Sequence, residues 1–324
     1  MKIGRLTHKN LPLIKPLIVN YKFNEHRGYP IFNEDISNSY LTKQIADSLT
    51  GRAEVFLVID KRAAVGLCAL KKLPLESKIF NFKMAELAYL MTGRDYTKNL
   101  KINNSLTSFI LELCKKNKIS HLSCRIDTSD SSAIHALEAS GFKIMDTVLT
   151  YGYRSKKYTL PKVKDFWTVR KFRQGDCKVL IDIAWDAFLK SRFYIDIHTR
   201  KNAGKFYTEW VKKCCDGSWA DNVIVAEKKG VVAGFITYKL DKNLHDFTGI
   251  KIAGRGLLAV SSKVPVPGLS MSLLRAWIRE TKEIRKVDEA ELDTQINNFP
   301  VIRMYQKLCL QILRARHTLH KWLD

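Results

Sequence analysis

Asn298-Phe299-Pro300-Val301-Ile302-Arg303-Met304-Tyr305-Gln306-Lys307-Leu308-Cys309-Leu310 has a counterpart in the first half of the chain. That counterpart is Asp130-Ser131-Ser132-Ala133-Ile134-His135-Ala136-Leu137-Glu138-Ala139-Ser140-Gly141-Phe142. The two start 168 residues apart (298 − 130), about half of a 324-residue chain. Each reads as a short helix, the first stopping at Gly141, a residue suited to a helix C-terminus. A divergent tandem repeat explains the match.

Outward from these helices, both halves alternate strands and helices. In the first half, Ala53 to Asp60 and Ala63 to Leu70 form a hairpin signal across Lys61-Arg62. Asn104 to Lys116 has apolar residues at helical spacing (Leu106, Phe109, Ile110, Leu113), and His121 to Ile126 reads as a strand. In the second half, Trp167 to Lys171 is a strand and Asp176 to Leu189 a helix. Asn222 to Ala226 and Val231 to Leu240 form a hairpin through Lys229-Gly230. Ile252 to Val260 is a strand, Leu269 to Thr281 a helix, Glu289 to Thr294 a strand, Phe299 to Leu308 a helix, and Ile312 to Leu323 a terminal strand. Between the halves, Ser155 to Lys162 is polar, basic and proline-bearing. These signals divide the chain into a domain at 1–157, a linker at 158–162 and a second domain at 163–324. The fold class is α/β (α+β), two mixed twisted sheets flanked by helices.

The chain carries 55 Lys and Arg against 32 Asp and Glu, a formal net charge of +23. Such a surface attracts phosphate-bearing partners without choosing among nucleic acid, membrane, nucleotide-sugar or coenzyme. The cations are dispersed, with no block of five or six that would mark a nucleic-acid tail, and a solvated lysine-rich surface is the plainer reading. Seven cysteines at irregular spacing, with no C-x-x-C, argue against a disulfide framework or structural zinc and for reduced thiols in a cytoplasm. No apolar stretch approaches a membrane span, and no apolar signal core follows Met1-Lys2-Ile3-Gly4-Arg5. His317 and His320 have no sequence neighbour at metal-ligand spacing, so no metal is expected. Gly254-Arg255-Gly256 is a lone G-x-G outside a dinucleotide-binding context.

The order hairpin, strand, glycine-bearing loop, helix, strand, helix, strand resembles the GNAT N-acetyltransferases. Leu257 to Leu274 matches that family's strand, loop and helix in register and shape. Asn298, Tyr305 and Lys307 retain its second pattern, with Val301 a conservative change and Cys309 in place of glycine. Ser191-Arg192-Phe193 and Lys205 to Val211 resemble the narrower dTDP-fucosamine acetyltransferase group, whose members join a partial GNAT-like domain to a complete one.

The resemblance implies acetyl-CoA as co-substrate and direct acetyl transfer to an amine on a nucleotide-linked amino-deoxyhexose. It implies that Leu258 and Val260 meet the pantetheine arm through backbone N–H groups. The loop and helix start, with Lys263, Val266, Gly268, Leu269 and Ser270, would hold the pyrophosphate, since helix N-termini bind anions. Pro265 and Pro267 depart from the pattern and lack an N–H. Tyr305 is the implied general acid toward the CoA sulfur. Asn298 either orders the pantetheine side or caps a helix ahead of Phe299-Pro300. Arg192, Tyr207 and Trp210 are candidate acceptor contacts, although Phe206, Tyr207 and Trp210 also suit an apolar helix stripe. The general base is not identified by the sequence: Asp196 and His198 are candidates that also suit plain surface positions, and a water chain is an equal alternative. The first half lacks the motif: Thr92 to Asn104 offers only Gly93, and Leu137 stands where Tyr305 would be. It is expected to be non-catalytic, to prop the second domain and to help wall the acceptor site. A homodimer is compatible with this reading. The competing readings are a GNAT enzyme for another amine (polyamine, antibiotic or protein) and a non-catalytic GNAT-like module, including one for nucleic acid.

Overall fold

The structure is a computed structural model and describes residues 2–26, 28–51, 53–61, 63–93, 95–162, 167–254, 256–263 and 267–323. In chain order the elements are β1 (Lys2–Arg5), α1 (Lys15–Asn20), α2 (Glu34–Leu49), β2 (Ala53–Asp60), β3 (Ala63–Lys72), α3 (Pro74–Phe80), β4 (Met84–Thr92), α4 (Tyr96–Lys116), β5 (His121–Asp127), α5 (Ser131–Ala139) and β6 (Lys143–Arg154). They continue with β7 (Thr168–Lys171), α6 (Cys177–Ala187), α7 (Arg192–Ile195), α8 (Ala203–Cys215), β8 (Asn222–Lys228), β9 (Val231–Leu240), α9 (Lys242–Thr248), β10 (Ile252–Gly254), β11 (Leu258–Val260), α10 (Leu269–Arg279), β12 (Glu289–Gln295), α11 (Phe299–Lys307) and β13 (Gln311–Trp322).

The chain forms two compact units, Met1–Thr147 with Arg314–Asp324, and Val148–Leu313. This differs from a division at 157 and 163, and the reason is visible in the supposed linker. Ser155 N donates to Asp288 O at 2.9 Å, and Tyr158 is buried with its hydroxyl on Leu308 O at 2.6 Å. Arg275 and Lys282 also donate to the carbonyls of Pro161 and Tyr158. The stretch is therefore packed into the second unit. The chain passes between units in the middle of β6 and again within β13, so the terminal strand completes the first sheet.

In the first unit the sheet order is β1-β2-β3-β4-β5-β13, antiparallel except for the parallel pair β4/β5. Parity along β2 sorts the core. Phe56 and Val58 face Ile102, Leu106 and Leu137 of α4 and α5, while Val55 and Leu57 face Ile14, Ile18, Leu41 and Ile45 beneath α1 and α2. Both faces of the sheet are thus apolar and covered. The terminal strand also brings together two histidines remote in sequence, with the His121 and His320 rings 4.4 Å apart.

The second unit repeats the plan, with order β7-β8-β9-β10-β12 followed by the Val148–Arg154 part of β6. Adding 168 to Met84–Thr92 gives 252–260, the span of β10 plus β11, and the parallel pair Met84↔His121 becomes Ile252↔Glu289. The anticipated single strand over Ile252 to Val260 is broken in two. The helix anticipated from Asn104 begins earlier, at Tyr96, where Asp95 accepts the Lys98 N–H at 2.7 Å.

Arg170 of β7 anchors the start of the second unit. It grips Asp176 at 2.8 and 3.0 Å and Glu227 at 2.7 Å, with all three side chains largely buried. Hydrogen bonding from Arg170 holds the Asp176 carboxyl below its ordinary value. A depressed carboxyl stabilises the fold above its unfolded pKa, and that stability is lost as pH falls through the folded value. Asp176→Asn should therefore cost about 1–3 kcal/mol at pH 7. In urea unfolding the cost should shrink at pH values below about 4.

Candidate functional site

The site grows from a fork in the second sheet. Among the described residues β10 pairs with β12 at Ile252↔Glu289 and Ala253↔Ala290. Beyond that point β11 pairs with β9 (Leu258↔Ile236, Ala259↔Phe235, Val260↔Gly234), while β12 continues along β6 from Glu291↔Gly152 to Gln295↔Val148. Thr237 N donates to Leu257 O at 2.9 Å, and Ser261 N donates to Ala233 O at 2.7 Å. In an antiparallel ladder the alternate residues turn their N–H and C=O groups the other way. Those residues are Leu258 and Val260, so their backbone groups point into the fork.

Gly256 lies at the break between the two strands. A Cβ there would stand 1.9 Å from Thr237 O, a backbone atom, and only glycine admits so close an approach. Leu257 N is taken by the Thr237 hydroxyl at 2.9 Å, which fixes the kink. Gly254 and Gly256 thus serve strand packing. Arg255 lies outside the described residues, as do Pro265 and Val266.

At the mouth of the fork Gly268 adopts φ 76° and starts α10. Ser272 N returns to Gly268 O at 3.0 Å, which leaves the first-turn N–H groups of Leu269, Ser270 and Met271 without intrahelical acceptors. No side-chain cap and no acidic residue occupy this turn. Lys263 is exposed on the preceding loop, and Pro267 O accepts from Trp167 Nε1 at 3.0 Å. Two backbone donors in a gap and an uncapped helix start beyond it fit an extended thioester arm ending in a pyrophosphate.

Tyr305 sits on α11, 2% exposed, its ring centroid 5.2 Å from that of Tyr151 on β6. Burial, aided by the nearby Asp293 carboxylate, pushes its phenol pKa up, so the hydroxyl keeps its proton at any working pH. Asn298 stands at the helix N-cap position, yet its side chain caps nothing and Nδ2 donates to Thr294 Oγ1 at 3.2 Å.

The other candidates are placed differently. Tyr207 is 7% exposed and stacks on Phe188 at 4.4 Å, while Trp210 packs edge-on against Phe206 and Trp219. Arg192 lies over the Phe193 ring at 4.6 Å. Asp196 is buried, and its carboxylate accepts the His198 N–H at 3.0 Å. Sequence reading passed over the acidic row Glu289, Glu291 and Asp293 on β12. The signal was present: three carboxylates at alternate positions of a central strand, where charge is rarely buried.

No family model matches the chain. It is 26% identical over 164 residues to the spore coat polysaccharide biosynthesis protein SpsD of Bacillus subtilis (strain 168), a match that spans 50% of this chain and 53% of that protein. A GCN5-related N-acetyltransferase from Sphaerobacter thermophilus superposes over 99% of this chain and 95% of its own, with TM-score 0.66 at 14% identity. A tandem GNAT protein from the clavulanic acid biosynthesis pathway covers 99% and 98%, with TM-score 0.56 at 14% identity. A GCN5-related glucosamine N-acetyltransferase region of a fungal multi-domain β-N-acetylglucosaminidase covers 99% of this chain and 38% of its own, with TM-score 0.63 at 13% identity. The chain has the tandem GNAT fold. Its second GNAT unit carries the fork, the open helix start and the tyrosine, whereas its first has Asp95 at the equivalent helix start and Leu137 in the place of Tyr305. Among the described residues no helix is long and apolar enough to cross a membrane.

The fork rests on the contact at Gly256. Gly256→Ala should cost about 1–3 kcal/mol by overpacking. Gly4→Ala, where no atom lies within 4 Å of the added Cβ, should be tolerated. Thermal unfolding of the two variants checks this.

Proposed function

We propose that the second unit transfers an acetyl group from acetyl-CoA directly to a primary amine. The observation that carries this reading is the fork itself, with Leu258 and Val260 turning backbone groups into it, in a unit that also holds a buried, protonated Tyr305. Acetyl-CoA supplies an activated thioester when bound. Leu258 and Val260 would hold its arm and polarise the carbonyl, and Gly268, Leu269 and Ser270 would hold the pyrophosphate, with Lys263 adding positive charge. Tyr305 would hand its proton to the departing sulfur, and the proton leaving the nitrogen would restore it. Val266 would belong to the same loop.

We further propose that the amine is carried on a nucleoside-diphosphate-linked amino-deoxyhexose. Three things support this reading: the likeness of Ser191 to Val211 to sugar-nucleotide acetyltransferases, the polysaccharide-synthesis name of the Bacillus relative, and a surface of net charge +23. Arg192, half-buried over the Phe193 ring, would be the acceptor contact, while Tyr207 and Trp210 would shape the wall behind it. The first unit, in this reading, is non-catalytic. Its helix α4 starts at 96 rather than at the 101 equivalent to Leu269 (269 − 168), and Asp95 places a carboxylate where a phosphate would need bare N–H groups.

Calorimetric titration with acetyl-CoA should give one site per chain. Turnover of a nucleotide-linked 4-amino-4,6-dideoxyhexose ahead of polyamines, aminoglycosides and peptides would fix the acceptor class. Salt-sensitive binding of DNA or RNA without acetyl-CoA binding would favour a nucleic-acid module instead. Tyr305→Phe should lower kcat by about 100-fold or more while the acetyl-CoA Kd stays within about twofold. Wild-type turnover in this variant would remove Tyr305 from the reaction.

A further inference from the structure

Strand β12 reads Glu-Ala-Glu-Leu-Asp-Thr-Gln, and parity divides it. Leu292 lies opposite Tyr151, on the face that Tyr305 packs against. Glu289, Glu291 and Asp293 share the other face. Glu289 is 1% exposed, and its Oε2 has no hydrogen-bond partner among the described residues. A buried carboxylate oxygen left this way costs on the order of 1–3 kcal/mol, so its retention calls for a reason.

Among the described residues, the charged groups that face Glu289 can be named. Arg154 stands directly across on β6, Glu291 follows two residues along β12, and the in-register neighbour on β10 is Ile252. Asp288, at the strand entrance, accepts the Lys251 N–H at 2.9 Å. Burial pushes the Glu289 carboxyl up to about 7, with the Glu291 charge adding to the effect and Arg154 opposing it. Glu291 is the first residue of β12 beyond the last pair with β10, at the root of the fork. It lies flat over Gly254: a Cβ on that glycine would meet Glu291 Cγ at 2.6 Å and Oε1 at 2.8 Å. On its other side is Gly152, with the Leu313 side chain above it. Glycines on both flanks give the Glu291 side chain room at the fork's closed end, on the face it shares with Glu289 and Asp293.

We propose that Glu291 is the base that takes the proton from the acceptor's ammonium group, and that Glu289 is a positioning residue behind it that takes the proton up. This rests on the acetyl-transfer reading. One N–H bond of the ammonium breaks and its proton goes to Glu291. The neutral nitrogen then bonds the carbonyl carbon as the C–S bond breaks with its electron pair on sulfur. Tyr305 protonates that sulfur from the opposite face of the sheet and regains a proton from the nitrogen, and the first proton leaves through Glu289 to solvent. Acid and base thus stand on opposite faces with the fork between them.

The test uses the full chain labelled with carbon-13 at the glutamate carboxyls, titrated by NMR from pH 5 to 9. It is paired with kcat/KM profiles for acetyl-CoA and a nucleotide-linked 4-amino-4,6-dideoxyhexose, polyamines and aminoglycosides. One glutamate should titrate near pH 7, disappear in Glu289→Gln and move down by about one pH unit in Glu291→Gln. Glu291→Gln should lower kcat/KM by about 100-fold with the acetyl-CoA Kd within about twofold, and Glu291→Asp should recover part of it. Glu289→Gln should shift the acid limb of the profile. The proposal is overturned if no glutamate titrates above pH 6, or if Glu291→Gln turns over like wild type. A wild-type chain that acetylates none of these amines would instead overturn the acetyl-transfer reading, and the base assignment with it.

Discussion

The parting of two strands organises the second unit. β10 and β12 pair for two residues, and then Gly256 lets the chain press so close to Thr237 that β11 is drawn toward β9 and away from β12. A parallel ladder broken in this way leaves N–H and C=O groups without sheet partners inside a folded unit. Such groups are costly unless something else meets them. In the second unit Leu258 and Val260 turn their backbone groups into a gap, and the uncapped N-terminus of α10 follows the same strand. The same strand geometry that weakens the sheet prepares a place for an extended ligand.

The first unit shows what the plan becomes when those features are lost. Its parallel pair also stops early, after Leu87↔Cys124. Yet Asp95 meets the helix start with its own carboxylate, and Leu137 is fully buried where the second unit has a phenol. Equivalent positions have diverged in chemistry while the backbone has held. Gly141 has φ 80°, and Cys309, 168 residues on, has φ 56°, so the chain keeps the left-handed turn even without glycine. Backbone geometry has outlasted the residue that makes it easy.

This explains which parts were legible in the sequence. The hairpins and the 168-residue repeat follow from local periodicity, as do the helices read from it apart from their ends, α4 starting at Tyr96 rather than Asn104. The break between β10 and β11 did not, because it depends on a contact between Gly256 and Thr237 that no local pattern encodes. The supposed linker failed for a similar reason. Ser155 to Lys162 is polar along the chain, but Ser155 bonds the Asp288 carbonyl and the buried Tyr158 bonds that of Leu308, both far away in sequence. His121 and His320 meet through the exchange of a terminal strand, and spacing along the chain could not announce that. Of the candidate site, Leu258, Val260, Gly268 and Tyr305 were readable as a register. Tyr207 and Trp210 turned out to be packed in an aromatic cluster, the alternative that their helical spacing allowed.

The acidic row on β12 runs against the charge of the rest of the chain. In a chain of net charge +23, carboxylates are outnumbered, with 32 Asp and Glu against 55 Lys and Arg. Placing three on one central strand, with one of them 1% exposed, works against both solvation and the ordinary composition of a sheet interior. Arg154 offsets part of that cost, but Glu289 still sits with a raised pKa. Lys263 is exposed at the mouth of the fork, while the acidic row lies at its root. A ligand that is anionic at one end and carries an ammonium at the other would meet complementary charge at both, and the opposite orientation would meet repulsion twice. The distribution of charge therefore selects a direction of entry, which neither the fold nor the net charge alone would do.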